Sequence, residues 1–282
     1  MTFEKKHGLG VAAMLATAIL WSSSGAFIKY IQWNPMAIAS VRSFIALFLL
    51  VPLCKNLSWR FSGKQWILGL GYMAMMLSFV VANKWTTAAN AILLQYTSPV
   101  FIILLGTFFL GEKAGFRDVV TLVVTALGMS LFFLDDLGGG VLGGDLLSIF
   151  SGFAVAIVAV VMRKMKDGRV EGIVLGNILV VLAGLPFIEA PFPDTYGWIS
   201  LVYLGIIQLG LSFFLYTWCV PHISTLEQAL LPMIEPLLNP LWVVIFIGEK
   251  PGLISLVGGA VVLLSVVGRC LWDYYYPARK AV

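Results

Sequence analysis

Residues 96–113 read YTSPVFIILLGTFFLGEK, and residues 233–250 read MIEPLLNPLWVVIFIGEK. Each stretch carries a proline twelve residues before its closing Gly-Glu-Lys, Pro99 in the first and Pro236 in the second. The copies stand 137 residues apart in a chain of 282 residues. This self-similarity indicates an internal duplication, and it predicts two domains at residues 1–137 and 138–282.

The composition is that of an integral membrane protein. Hydrophobic residues make up 60% of the chain and charged residues 11%, with a mean hydropathy of +0.96. Long stretches such as Thr195–Leu226 contain no Asp, Glu, Lys or Arg, and a helix needs about 20 apolar residues to cross the hydrocarbon. We therefore predict an all-α membrane protein with ten transmembrane helices, at residues 9–31, 35–53, 65–82, 88–110, 117–134, 145–163, 171–188, 197–218, 224–246 and 252–271.

The lysine and arginine residues indicate the orientation of these spans. With the N-terminus in the cytoplasm, 14 of the 18 basic residues face the cytoplasm, 3 face the opposite side, and Arg42 lies inside the second span. The positive-inside rule favours this arrangement, with both termini cytoplasmic. Topology thus accounts for the basic residues, and no nucleic-acid partner is expected.

Five spans in each half make the second copy inverted relative to the first. The Gly111-Glu112-Lys113 end then faces the cytoplasm, and the Gly248-Glu249-Lys250 end faces outward. Inverted repeats are typical of carriers that expose one midplane site to either side of the membrane. We therefore predict a transporter of small molecules in the lipid bilayer. A duplicated chain contains both halves of such a carrier, so we expect it to function as a monomer.

Prolines interrupt the fourth and ninth spans. Each proline removes an amide and leaves the carbonyl one turn earlier without its helical partner. Such backbone is tolerated within a membrane only where it faces protein or a wet cavity. We predict that these helix faces line the transport cavity, with packing between helices as the alternative. The candidates are Gln95, Tyr96, Ser98 and Pro99 in the fourth span, and Gln228, Glu235, Pro236 and Asn239 in the ninth.

Three charged residues within or beside the spans suggest different roles. Glu235 lies near the middle of the ninth span, where a charge costs roughly 2.5 kcal/mol or more. It can meet a substrate ammonium group, carry a coupling proton, or hold helices together as a hydrogen-bonded acid. Glu227 fits a helix-capping box better than a substrate contact. Arg42 can attract a carboxylate, reach water or tie helix ends together, and we predict a structural or gating role for it.

Helical spacing adds further cavity candidates in the first, third, seventh and eighth spans. Methionine and aromatic side chains form adaptable pockets with apolar walls, although ordinary core or lipid contact is the alternative for each. These candidates are Trp21, Ser24, Tyr72, Met76, Phe79, Asn83, Asn177, Gln208, Ser212 and Tyr216.

The chain lacks the motifs of metal and nucleotide sites. Its cysteines, Cys54, Cys219 and Cys270, show no CxxC spacing, and His7 and His222 are far apart in sequence. It contains no GxxxxGK[ST], GxSxG or HExxH motif. We therefore expect no metal, no cofactor and no enzymatic activity.

The chain contains several motifs of a known pattern: Leu20-Trp21-Ser22-Ser23, Asn34-Pro35 followed by Arg42, Tyr96-Thr97-Ser98-Pro99-Val100, and the two Gly-Glu-Lys ends. Together they resemble the EamA-type drug/metabolite transporter superfamily, in particular its YddG-type exporters of aromatic and other neutral amino acids. The resemblance covers almost the whole chain. It implies ten helices, a central cavity lined by the first four helices of each half, and export across a bacterial inner membrane.

Two other functions stay open at this point. A multidrug or organic-cation exporter, or another metabolite exporter of the same superfamily, would also use aromatic rings around a carboxylate such as Glu235. A membrane enzyme or a scaffold without transport activity belongs to a different class. An enzyme needs catalytic groups at a membrane face, and a scaffold would tolerate substitutions along the ninth span.

Overall fold

Helices make up the structure wherever the chain is described. The computed structural model describes residues 3–54, 60–110, 116, 120–121, 123–124, 127–128, 131, 142–165, 167–219, 222–223, 231–248 and 252–275, and it has no strand in these ranges. The helices are α1 Phe3–Ser22, α2 Ser24–Tyr30, α3 Pro35–Leu50, α4 Gly63–Trp85, α5 Ala88–Gln95, α6 Ser98–Leu105, α7 Leu142–Lys164, α8 Arg169–Gly184, α9 Thr195–Tyr203, α10 Ser212–Cys219, α11 Ile234–Ile247 and α12 Leu253–Tyr275.

Six helical stretches in the described ranges are long and apolar enough to cross a membrane. They correspond to the first, second, third, sixth, seventh and eighth predicted spans. The fourth predicted span is divided between Gln95 and Ser98, the ninth is described only from Leu231, and the fifth lies largely outside the described residues. The six stretches are Lys6–Tyr30, Pro35–Leu53, Gly63–Trp85, Leu142–Met162, Arg169–Phe187 and Thr195–Cys219.

Local side-chain caps explain where several helices begin. At α3, the Asn34 side chain accepts the Met36 amide at 2.9 Å, and Pro35 occupies the first turn. At α4, Ser62 and Gln65 form a reciprocal capping box. Such caps satisfy amides that have no partner within the helix. The short polar stretches between spans therefore define the helix starts.

The fourth span breaks where its proline predicts. Helix α5 ends at Gln95 and α6 begins at Ser98, with a turn between them. Pro99 has no amide to give to the Gln95 carbonyl, so the helical ladder is interrupted at this point. Helix α7 passes very close to the break: a Cβ atom added to Gly152 would lie only 2.7 Å from the Gln95 carbonyl oxygen.

Gly248 ends α11 in the left-handed conformation, with a φ angle of 76°. Its amide donates to the carbonyls of Val243 and Val244 at 3.1 and 3.2 Å. This is the usual glycine stop of a helix, and it explains the glycine in the second Gly-Glu-Lys copy. Gly111 and the Glu-Lys pairs of both copies lie outside the described residues.

Contacts between the two halves occur in matching pairs. Helix α4 packs against α7 and α8, while the continuous helical stretch Thr195–Cys219, which contains α9 and α10, packs against α1 and α3. Helices α5 and α6 pack against α7, while α11 packs against α1 and α2. Each contact therefore has a counterpart in which the first and second halves are exchanged. This arrangement places α1, α4, α8, α10 and α11 around one interior region.

Candidate functional site

Four aromatic rings from both halves pack together and form what we call the aromatic cluster. Trp21 of α1 lies with its ring centroid 5.5 Å from Phe213 and 5.4 Å from Tyr216, both on α10. Tyr72 of α4 lies 5.4 Å from Phe213 in an edge-on arrangement. Tyr72 is fully buried. The tilted and edge-on geometries are those that aromatic pairs prefer.

Polar side chains hold two of these rings in place. The indole nitrogen of Trp21 donates to the Ser212 hydroxyl at 2.7 Å. The Tyr72 hydroxyl lies 3.5 Å from the Asn177 side-chain oxygen, and the Asn177 amide nitrogen donates to the Ile173 carbonyl at 3.0 Å. Four predicted candidates besides Ser212 therefore lie together here: Trp21, Tyr72, Asn177 and Tyr216.

Glu235 lies in the first turn of α11, where this helix meets the turn between α5 and α6. The Tyr96 hydroxyl oxygen, from the turn between α5 and α6, is 2.9 Å from Glu235 Oε2. The same oxygen is 2.8 Å from the Pro232 carbonyl oxygen. Pro236 has no amide to offer that carbonyl, so Tyr96 takes the place of the missing helical donor. A side chain from the first half thereby supplies the hydrogen bond that a backbone carbonyl of the second half lacks.

Counting protons at this contact favours a carboxylic acid at Glu235 in this conformation. A tyrosine hydroxyl has one proton, and both the Pro232 carbonyl and an ionised carboxylate can only accept. If Glu235 carries a proton, it can donate to Tyr96, and Tyr96 can donate to Pro232. An ionised Glu235 would leave one of the two acceptors without a donor. Protonated Glu235 therefore satisfies all hydrogen bonds among Glu235, Tyr96 and the Pro232 carbonyl, and loss of its proton would break one of them.

Asn239 lies one turn beyond Glu235 and faces α2. It is fully buried, and neither its side-chain oxygen nor its side-chain nitrogen has a hydrogen-bond partner. A Cβ atom on Gly25 would lie 2.7 Å from the Asn239 side-chain oxygen. Close by, the Trp242 indole donates to the Ser22 hydroxyl at 2.9 Å. The junction of α1 and α2, where Ser24 lies buried, therefore packs directly on α11.

Arg42 of α3 is 1% exposed, so its guanidinium does not reach water. Its Nη2 donates to the Met76 sulfur at 3.3 Å, a weak acceptor. Its Nε and Nη1 have no hydrogen-bond partner. Met76 stands one helical turn from Tyr72 on α4, which places the guanidinium beside the aromatic cluster.

The other predicted candidates have different surroundings. Gln95 donates to the Ser151 hydroxyl of α7 at 2.7 Å, and Asn83 donates to the Phe79 carbonyl of its own helix at 2.9 Å. Phe79 packs in a hydrophobic core, Ser98 is buried, and the buried Gln208 has an unpartnered side-chain oxygen. Gln228 and Glu227 lie outside the described residues, and only the backbone is described at Pro99 and Pro236.

Phe213 contacts each of the other three rings of the aromatic cluster, but it was not among the residues predicted from the sequence. It lies next to Ser212 and shares an edge-on contact with Tyr216 at 6.5 Å. Its neighbours along α10 are largely apolar, and nothing in the sequence distinguishes it from the lipid-facing Phe214, which is 38% exposed. The only available signal was its position between Ser212 and Tyr216.

Hydrogen bonds join the halves near both predicted membrane faces. Toward the predicted outer face, the Thr86 hydroxyl donates to Asp145 Oδ1 at 2.7 Å. Toward the predicted inner face, the Gln65 side chain donates to the Gly168 carbonyl at 3.2 Å. Two clefts among the described residues, of about 160 and 200 Å³, are not lined by the aromatic cluster or Glu235. Tyr72 and Asn177 are fully buried and Glu235 is 9% exposed, so the site lies in the interior between the described parts of the two halves.

A multi-pass helical membrane protein with a buried aromatic and polar site between two equivalent halves has the architecture of a transporter. The EamA-like transporter family model matches residues 8–134 and again residues 142–269, and the chain belongs to this family. The repeated match agrees with the duplication seen in the two Gly-Glu-Lys copies. Family membership identifies a membrane transporter of small molecules rather than an enzyme.

Relatives from three domains of life carry transporter or carrier names. An uncharacterized transporter of Archaeoglobus fulgidus is 26% identical and aligns over 92% of this chain and 95% of its own. The uncharacterized transporter YxxF of Bacillus subtilis is 22% identical and aligns over 90% of this chain and 87% of its own. Human solute carrier family 35 member G1 is 24% identical and aligns over 96% of this chain and 81% of its own. None of these names specifies a substrate.

A solved crystal structure shares the fold. It covers 99% of this chain and 100% of its own with a TM-score of 0.64, at 17% sequence identity. This likeness supports the helical architecture along the whole chain. The YddG-type specificity stays a prediction.

Proposed function

We propose that this protein is a secondary transporter that exports small amphipathic metabolites, in particular aromatic and other neutral amino acids, by alternating access. Ten transmembrane helices, in two inverted halves at residues 1–137 and 138–282, would rock around the enclosed site. The observation that carries the proposal is the aromatic cluster, because Trp21 and Tyr72 come from the first half and Phe213 and Tyr216 from the second. Any movement between the halves opens or closes it.

The proposed setting is a bacterial inner membrane with both termini in the cytoplasm and a single copy of the chain as the working unit. The excess of lysine and arginine on one predicted face supports that orientation. The bonds from Thr86 to Asp145 and from Gln65 to Gly168 join the halves at opposite ends of the site. In alternating access, these two closures would open in turn.

Glu235 is the proposed coupling residue. Its contact with the Tyr96 hydroxyl, which also bonds to the Pro232 carbonyl, favours the protonated acid in the enclosed state. Displacement of Tyr96 when the halves separate would leave the acid free to exchange its proton with water. A direct contact between an ionised Glu235 and a substrate ammonium group is the alternative use of the same carboxyl. Exchange of substrate against protons is expected only if Glu235 releases its proton, and not if it binds the substrate ammonium group.

An organic-cation or multidrug exporter is the second candidate function. A carboxyl group near aromatic rings can bind lipophilic cations through cation–π contacts and charge, and Glu235 and the aromatic cluster supply both components. The close packing of Asn239 against Gly25 argues for a small substrate, because little space separates α11 from α2. A scaffold without transport activity stays the remote alternative.

Uptake into proteoliposomes tests the proposed function. Purified protein would be offered labelled neutral amino acids and labelled organic cations, with and without an imposed proton gradient. We expect saturable flux of aromatic amino acids that increases with the gradient. Flux of cations alone would favour the second candidate, and no flux of any compound would contradict the transport proposal for these substrates.

Removing one ring from the aromatic cluster is expected to weaken substrate binding. Phe213→Leu keeps an apolar side chain but loses the ring contacts to Trp21 and Tyr72. A ring contact between Phe213 and the substrate would be worth roughly 0.5–1.5 kcal/mol, so we expect KM for L-phenylalanine to rise by up to about tenfold. The matched control is Phe214→Leu at the neighbouring exposed ring. Equal KM values for the two variants would contradict a role for the cluster in binding.

A further inference from the structure

Arg42 is a buried cation, and the described residues supply no counter-ion for it. It lies in the second predicted span, seven residues beyond Pro35, and is 1% exposed. Of its three guanidinium nitrogens, Nη2 donates to the Met76 sulfur at 3.3 Å. Nε and Nη1 have no hydrogen-bond partner in the part of the chain that the structure describes.

Arg169 shows how this protein treats a structural arginine. Its Nε donates to the Met162 carbonyl at 3.1 Å, and its Nη2 donates to the Met165 carbonyl at 2.6 Å. Those bonds tie the start of α8 to the end of α7. Arg42 has no equivalent carbonyl partners, although a charge within a membrane span is costly unless it is paired. A purely structural role therefore leaves its burial unexplained.

The unpartnered edge of Arg42 is suited to a carboxylate. Nε and a terminal nitrogen of a guanidinium form a planar fork that binds the two oxygens of a carboxylate. Met76, which contacts Nη2, lies one turn from Tyr72, so a ligand on Arg42 can place an apolar group toward the aromatic cluster. The flexible methionine side chain can move aside without breaking a strong bond.

We propose that Arg42 binds the carboxylate of the transported substrate and thereby restricts this protein to anionic or zwitterionic compounds with an apolar group. This inference rests on the proposed transport function and names the substrate class of the same site. It separates the two candidate functions, because a fully desolvated guanidinium repels a lipophilic cation. Arg42 would thus be a specificity-determining residue in addition to the Glu235 carboxyl.

Three compounds with the same ring test the proposal. L-Phenylalanine carries a carboxylate and an ammonium group, 3-phenylpropionate only a carboxylate, and 2-phenylethylamine only an ammonium group. Binding of each to purified protein in detergent, and competition of each against labelled phenylalanine in proteoliposomes, would be measured. We expect the wild-type protein to bind the first two and to bind the amine at least tenfold more weakly.

Variants at Arg42 then assign that preference. Arg42→Gln should reduce the affinity for phenylalanine and phenylpropionate by about ten- to a hundredfold, as expected for a lost charge-assisted hydrogen bond, while amine binding is unchanged or stronger. Arg42→Lys should retain part of the carboxylate preference. Lys64→Gln is the control, because Lys64 is an exposed cation whose ammonium group donates to the Lys164 carbonyl at 3.5 Å. Its substrate preference should equal that of the wild-type protein.

Several results would overturn the inference. One is a wild-type protein that binds amine and carboxylate equally, and another is an Arg42→Gln variant with an unchanged preference. If Arg42→Gln does not fold, Arg42→Lys decides the question, since a preference identical to that of the wild-type protein would contradict bidentate binding. Absence of binding and flux for all three compounds would defeat the proposed function itself, whereas transport of the amine as well as phenylalanine by the wild-type protein would defeat only this inference.

Discussion

Replacing Glu235 by glutamine is expected to lower the transport rate by about ten- to a hundredfold, a rise of about 1.4–2.7 kcal/mol in the barrier, because glutamine cannot ionise. Glutamine has nearly the same shape as the protonated acid and can donate to Tyr96, which lies 2.9 Å from the carboxyl in the wild-type protein. The enclosed state should therefore form normally. The variant cannot release a proton, so the step that needs an ionised Glu235 is lost.

The measurement is flux into proteoliposomes at matched protein content, with and without a proton gradient. Glu235→Gln should show a low flux that no longer responds to the gradient. The control is Glu189→Gln, because Glu189 is exposed and only its backbone carbonyl accepts a bond, from the Trp33 indole at 2.9 Å. Wild-type flux and gradient dependence in Glu235→Gln would show that this carboxyl is structural.

Tyr96→Phe refines the same prediction. It keeps the ring but leaves both the Pro232 carbonyl and Glu235 without the hydroxyl oxygen that they share. We expect a smaller loss of flux than in Glu235→Gln, together with a lower melting temperature, because an unsatisfied buried carbonyl destabilises the protein. Full flux and an unchanged melting temperature would mean that the hydroxyl is dispensable.

Adding a single methyl group at Gly152 should strongly destabilise the protein. The new Cβ atom in Gly152→Ala would lie 2.7 Å from the Gln95 carbonyl oxygen and 3.0 Å from the Thr97 hydroxyl. The oxygen belongs to the backbone at the helix break and cannot rotate away. Overpacking of this kind typically costs about 1–3 kcal/mol of the free energy of unfolding, and here it also displaces the turn that carries Tyr96.

The matched control is Gly268→Ala on α12, where no atom lies within 4 Å of an added Cβ. Alanine is favoured over glycine within a helix by about 1 kcal/mol, so this variant should melt at the same temperature as the wild-type protein or higher. Thermal unfolding of both variants in the same detergent provides the comparison. Identical melting temperatures for Gly152→Ala and Gly268→Ala would contradict the close approach of α7 to the break.

Much of the helical framework could be predicted from sequence because its causes are local. Long apolar runs without charges correspond to the six described stretches that can cross a membrane. The missing amide of Pro99 places the break after Gln95, and the glycine of the second Gly-Glu-Lys copy ends α11. Each of these features depends on residues within a few turns of one another.

The site could be predicted only in part. Helical spacing suggested Trp21, Tyr72 and Tyr216, which meet in the aromatic cluster, but it gave no reason to include Phe213. It also grouped Gln95 with the cavity candidates but did not predict its hydrogen bond to Ser151 of α7. Spacing shows which residues share a helix face, and it does not show what that face contacts.

By itself, the sequence determined the membrane class, the duplication and the break in the fourth span, since hydropathy, self-similarity and missing amides are properties of the chain read in order. Only the tertiary structure decided that Tyr96 meets Glu235 across 139 residues, and that Arg42 is buried where the described residues supply no counter-ion. The physical reason lies in the solvent. Lipid tails are as apolar as leucine, so hydropathy does not mark the inward face of a span, and helix packing sets the rotation that brings polar groups together.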